Sequence, residues 1–260
     1  MKVIEEPQLS VKRKLPWLID IFLYPVSTSG LIHLIVFLIA PFLLGLIHRH
    51  IFSGGGYIGS VISLGLYVLL VGYVFYYLAY CVVDSAKGGK RAPDISIMET
   101  PGKGELISQL MCVFAGIAFC FWPVAAYYIF TERVDFIFWL LSGCGVFFLP
   151  MALLAVLMFD AFDALNPVMI LKSIFKTFFA YIALVPFFCV LSGLVYIMMS
   201  GLPEAKTLEQ TVLYIFLFLS YLLSPAFVGR AIAFIYLAMV GAHLLGYFYW
   251  RHKDRLDWGL

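Results

Sequence analysis

The sequence predicts an all-α polytopic membrane protein: a bundle of about six transmembrane helices with interfacial helices beside it. Three observations carry that expectation. Hydrophobic residues make up 63% of the 260-residue chain and charged residues only 12%, with a mean hydropathy of +1.01; so little polar surface cannot cover a water-soluble globule of this length. The apolar residues come in continuous runs near the roughly 20 residues a helix needs to cross about 30 Å of hydrocarbon, not in the alternating ten-residue segments of a barrel. Lipid offers no partner for backbone N–H and C=O groups, so runs of that kind must satisfy them internally as helices.

Taken in order, residues 1–29 form a polar arm followed by a short apolar segment, Leu15 to Tyr24. That segment is too short to span, and its Trp17 and Tyr24 suit the membrane interface. Lys12, Arg13 and Lys14 precede Pro16, and the first long run starts only near Gly30, which does not match a compact cleavable signal. The membrane domain occupies residues 30–250. Its first span is Leu31 to Ile47, and a turn at Gly54-Gly55-Gly56 leads to the second, Tyr57 to Val83. Asp84 to Glu105, with its glycines, prolines and four cations, reads as a cytoplasmic loop. Leu106 to Phe130 and Phe136 to Phe159 make the third and fourth spans, antiparallel because only Thr131 to Asp135 joins them.

Asn166-Pro167 then fits a helix cap followed by the first helical residue. The helix it opens begins amphipathic, with Lys172, Ser173, Lys176 and Thr177 as a polar stripe opposite Ile170, Ile174, Phe175 and Phe178; it starts on the membrane surface and then becomes the fifth span, to about Ser200. Thr207-Leu-Glu-Gln210 fits a capping box before the last apolar region, Leu208 to Trp250. As one straight helix that region would run about 65 Å, so it should break at Ser224-Pro225, leaving Ala226 to Trp250 as the sixth span. Residues 251–260 form the tail.

Charge sets the orientation. Six crossings put Lys2, Lys12, Arg13, Lys14, Lys87, Lys90, Arg91, Lys103, Lys172, Lys176, Arg251, Lys253 and Arg255 on one side, thirteen cations against Arg49, Arg133 and Lys206. Cytoplasmic loops carry the excess, so both ends are expected in the cytoplasm of a cell inner or plasma membrane. Seven crossings would give eleven against six, with Leu208 to Ser224 as an additional span rather than a re-entrant piece.

Within the spans, Pro41, Pro123, Pro150, Pro186 and Pro225 can kink helices and open cavities, or simply pack. His33 and His243 lie in apolar runs, where an imidazole needs a hydrogen-bond partner; they could form a proton-linked pair, or each be satisfied by Ser, Tyr or backbone groups of neighbouring helices. Asp160 and Asp163, three residues apart, could present two carboxylates to a cation, a headgroup or a partner, or pair with Lys172 and Lys176. Lys87, Lys90, Arg91, Lys103, Lys172 and Lys176 are candidates for contacts with anionic headgroups or a partner protein.

The five cysteines, Cys81, Cys112, Cys120, Cys144 and Cys189, form no C-x-x-C pair and read as small apolar packing residues. No H-E-x-x-H, P-loop, G-x-S-x-G or cysteine-histidine metal spacing occurs, so no catalytic residue, metal or cofactor is expected. A lipid-modifying enzyme would need acids clustered at one depth, for which Asp84, Asp94, Asp160 and Asp163 are a thin set. The net charge of +2 gives no reason to expect a nucleic-acid partner.

The interfacial Leu15 to Pro25 segment, the Asp160 to Pro167 junction and the ending from His243-Leu-Leu-Gly-Tyr-Phe-Tyr-Trp250 to Trp258 give a layout that resembles Yip-type and related uncharacterised prokaryotic multi-helix membrane families. The resemblance implies a membrane organiser without catalytic residues and carries over no site residue. The expected partners are the bilayer and another membrane or cytoplasmic protein. The leading functional expectation is therefore an organiser or anchor, and its rival a transporter or permease subunit with a polar path between kinked helices.

Overall fold

A computed structural model of the chain describes residues 17–47, 50, 56–94, 103–159, 164–199, 225–256 and 258. Among these there is no strand. The elements are α1 (Trp17–Phe22), a 3-10 turn (Tyr24–Val26), α2 (Thr28–Ile47), α3 (Gly56–Ala86), α4 (Lys103–Thr131), α5 (Phe136–Phe159), α6 (Pro167–Lys176), α7 (Phe178–Met199) and α8 (Pro225–Leu256). Among the described residues five helices, α2, α3, α4, α5 and α8, are long and apolar enough to cross a membrane, and the number is six if the bent pair α6–α7 forms one broken span. The chain is thus an all-α bundle built as a membrane protein. The capping box at Thr207 and the segment Leu208 to Ser224, on which the choice between six and seven spans rests, lie outside the described residues.

Helix ends follow local chemistry. The Asn166 side chain accepts from Val168 N at 3.0 Å, so Asn166 and Pro167 open α6 as expected. Pro225 opens α8, where its missing N–H is not needed. The prolines at 41, 123, 150 and 186 lie inside helices that continue through them.

One expectation needs correction: the fifth span does not continue the amphipathic helix. It turns by 109° at Thr177, whose backbone leaves helical geometry at φ −121°, ψ 20°. The Thr177 hydroxyl donates to the Ser173 carbonyl at 2.8 Å, and its N–H is shared between Ser173 O and Ile174 O at 3.2 Å each. The physical cause is the stripe itself. Carrying Lys172 and Lys176 into hydrocarbon is costly, whereas α7 is apolar along its length.

The core lies where α3, α5, α7 and α8 meet. Tyr77, Cys81 and Val82 of α3, Met151, Ala152 and Leu154 of α5, Tyr181 and Phe188 of α7, and Met239 and Leu245 of α8 are all buried. The Tyr181 hydroxyl donates to the Phe147 carbonyl in the turn before Pro150, fixing α7 against α5. Cys81, Cys112 and Cys120 pack in this interior as expected, whereas Cys144 and Cys189 are exposed on its outer face.

Candidate functional site

The two buried histidines and several of the buried polar groups converge on one stripe of α3. Tyr73, Tyr77, Cys81 and Ser85 recur every fourth residue, which puts them on a single helix face. That face meets α2 on one side and α8 on the other. On the α8 side, His243 Nδ1 and the Ser85 hydroxyl are 2.7 Å apart, a fully buried hydrogen bond between residues 158 apart in sequence. The other element of this contact comes from the 3-10 turn: the Tyr24 ring stacks on His243 with centroids 4.0 Å apart and planes 12° from parallel. Gly246, one turn further along α8, allows the approach, because a Cβ there would collide with the Val82 carbonyl and lie 2.6 Å from Ser85 Cβ.

On the α2 side, His33 stacks on Tyr77 at 3.7 Å. Its Nδ1 faces the Ser29 carbonyl of its own helix at 2.9 Å, and its Nε2 lies 3.5 Å from the Tyr73 hydroxyl. Phe37 closes the group edge-on to both tyrosines. The two histidines therefore do not stack on each other. Each is paired with a tyrosine, and the Tyr24 and Tyr77 hydroxyls lie beside the fully buried Cys81 thiol between them. Neither hydroxyl has a hydrogen bond of sound geometry. Among the described residues, no group of three or more His, Cys, Asp or Glu is arranged to hold a metal ion.

Past Ser85 the chain stops in a Schellman motif. Gly88 takes a positive φ of 95°, Gly89 N donates to Asp84 O at 3.0 Å and Gly88 N to Ser85 O at 3.0 Å. The Trp250 indole nitrogen comes within 3.3 Å of where a Cβ on Gly88 would sit, so α8 is pinned to the end of α3. The polar loop does not stay wholly in solvent: Ala92 and Pro93 are buried, and the Asp94 carboxylate comes within electrostatic reach of the His33 ring.

The ends of α3, α5 and α8 come together. Trp258 packs on Phe159 with centroids at 5.5 Å, and its indole N–H donates to the Ser173 hydroxyl of α6 at 2.9 Å. Lys87, Lys90 and Arg91 after α3, Lys172 and Lys176 on α6, and Arg251, Lys253 and Arg255 on α8 are all exposed there, beside the exposed acids Asp94 and Asp254. Lys103 begins α4, but its side chain lies outside the described residues, as do Asp160 and Asp163. A groove of about 630 Å³ between α3 and α4, lined by Val61, Gly65, Leu69, Gly72, Leu106 and Leu110 among others, is apolar and suited to hydrocarbon.

The sequence reading did not single out Tyr77 or Ser85, gave Cys81 only as a packing residue and placed Tyr24 at the interface. The four-residue spacing on α3 was available as a signal for three of them. Tyr24 gave none: it sits in a segment too short to span, and the expectation placed its ring at the interface, whereas its ring is buried under His243 because the 3-10 turn tucks it inward. Family models, curated proteins and solved structures yield no match to this chain.

Proposed function

We propose that this membrane protein is a non-enzymatic organiser that anchors a partner at its basic end. The observation that carries this reading is the division of labour among its polar groups. The histidines of the spans are spent inside the bundle, on Ser85, Ser29 and the tyrosine rings, where they tie α2, α3 and α8 together. The exposed cations collect at the common end of α3, α6 and α8. The positive-inside rule makes that end cytoplasmic in an inner or plasma membrane. Capture of partners from native membranes in mild detergent tests this reading. The account expects a co-purifying protein that is lost when Lys87, Lys90 and Arg91 are changed together to Gln; a chain that purifies alone, or a capture indifferent to those changes, contradicts it.

A transporter remains the second reading, on one specific observation: the two buried hydroxyls of Tyr24 and Tyr77 beside Cys81 have no sound hydrogen bond, and such atoms call for a solute, a water or a proton path. Proton-coupled uptake into vesicles that is abolished by His33→Ala would support it. Uptake that is absent, or unchanged by that substitution and by Asp160→Asn, would remove it.

A further inference from the structure

We infer that α6 is a headgroup-binding helix that lies in the plane of the membrane and selects anionic phospholipids. The inference stands apart from the anchoring role, since it rests on how the ten residues of α6 are distributed around its axis. At about 100° per residue the positions fall into three sectors. Ile170, Ser173, Ile174 and Thr177 share the first, and all four are buried against the bundle. Leu171, Phe175 and Val168 share the second, and they are 41%, 73% and 55% exposed. Lys172 and Lys176 share the third, both exposed.

A helix buried in a protein core, or one lying in open water, needs only two sectors. Three are what a helix requires when it touches protein on its flank, acyl chains below and headgroups above. The 109° turn into the apolar α7 supplies the second geometric condition: with α7 directed into the bilayer, α6 runs along its surface. The flank is fixed by the tail of the chain, through the Trp258 indole N–H on Ser173. This also brings α6 beside the end of α8, where Lys253 and Arg255 stand exposed in the last turn. Four cations thus stand exposed at one end of the fold, with the single acid Asp254 between Lys253 and Arg255, and phosphate-bearing lipid of net negative charge is the chemistry that complements them.

The test uses the full chain reconstituted in phosphatidylcholine vesicles containing phosphatidylglycerol, with spin-labelled versions of the two lipids reporting which is held at the protein surface. Phosphatidylglycerol should be preferred, and the preference should fall about fivefold for each lysine removed in Lys172→Gln and Lys176→Gln. The Lys172→Arg/Lys176→Arg pair should keep it, and added salt should weaken it. A preference unchanged in the double Gln variant would overturn the inference. A Phe175→Trp probe checks depth independently: quenching by lipids brominated near the headgroup end of the chain is expected, and a tryptophan open to aqueous quenchers instead would overturn the placement.

Discussion

The seam between α3 and α8 and the hairpin of α4 and α5 solve the same problem in different ways. In the hairpin, a connection of four residues, Glu132 to Asp135, brings two apolar helices together, and their glycines admit the close packing: a Cβ on Gly145 would lie 3.0 Å from the Cys120 carbonyl and the Phe121 ring, and Gly116 faces Leu153 and Val156. The turn carries a polar cluster of its own, where Asp135 accepts from Ile137 N and Phe138 N and from the Tyr127 hydroxyl at 2.6 Å. The seam joins helices more than a hundred residues apart in sequence, and there the small residue Gly246 works with a buried Ser–His hydrogen bond and a Tyr–His stack. Lipid tails are as apolar as a leucine face, so hydrophobicity alone cannot tell α3 which neighbour to choose. Chain connectivity chooses for the hairpin. The seam must carry its own recognition marks.

The largest expected effect follows from the tightest approach. Gly246→Val places a branched side chain against backbone on α3, and it should cost about 3 kcal/mol in a bicelle unfolding titration. Gly145→Val, against a neighbour that is partly a movable ring, should cost about half as much. If the two are equal, the seam has no special status.

A smaller effect is expected for His243→Ala. It uncovers one face of Tyr24 and leaves the Ser85 hydroxyl without its imidazole partner, for about 2 kcal/mol by the same titration. Tyr24→Phe and Tyr77→Phe remove hydroxyls that have no sound hydrogen bond. They should change stability by less than about 0.5 kcal/mol, or raise it. A loss of more than about 1 kcal/mol would show that the hydroxyls are satisfied after all.

The smallest effect belongs to the hairpin turn and depends on pH. Hydrogen bonds from the Tyr127 hydroxyl and then from the Phe138 and Ile137 amides hold the Asp135 carboxyl below its ordinary range. The sign follows from linkage: the cap is at full strength above the unfolded carboxylate value of about 3.9 and weakens as pH falls through the lower folded value. Hydrogen exchange at the Ile137 and Phe138 amides should therefore stay protected at mildly acidic pH and lose protection only in stronger acid. Asp135→Ala should remove that protection at every pH.

The hairpin and the seam also differ in how far the sequence reveals them. Hydropathy located α5 to the residue, and Asn166-Pro167 announced the start of α6, because span length and capping are local properties. The break at Thr177 was harder to see. It follows from a conflict between the lysine stripe and the apolar run behind it, and both halves read as helix. For His33 and His243 the kind of partner was legible, a Ser, a Tyr or a backbone group, but not which residue supplies it. A buried imidazole in an apolar run demands some hydrogen bond, yet which residue supplies it depends on non-local packing, and Tyr24 belongs to a segment with no spanning signal. The basic residues were legible as a count; the fold adds that those after α3, on α6 and on α8 share one end.

The claim on which the account turns is that His243 and Ser85 recognise each other across the seam. A double-mutant cycle of Ser85→Ala and His243→Ala in bicelles measures this directly. A coupling of about 1 kcal/mol, within the range for hydrogen bonds between membrane helices, is the predicted result. Additivity to within about 0.3 kcal/mol would contradict it, and with it the view that polar recognition rather than apolar packing selects α8 as the neighbour of α3.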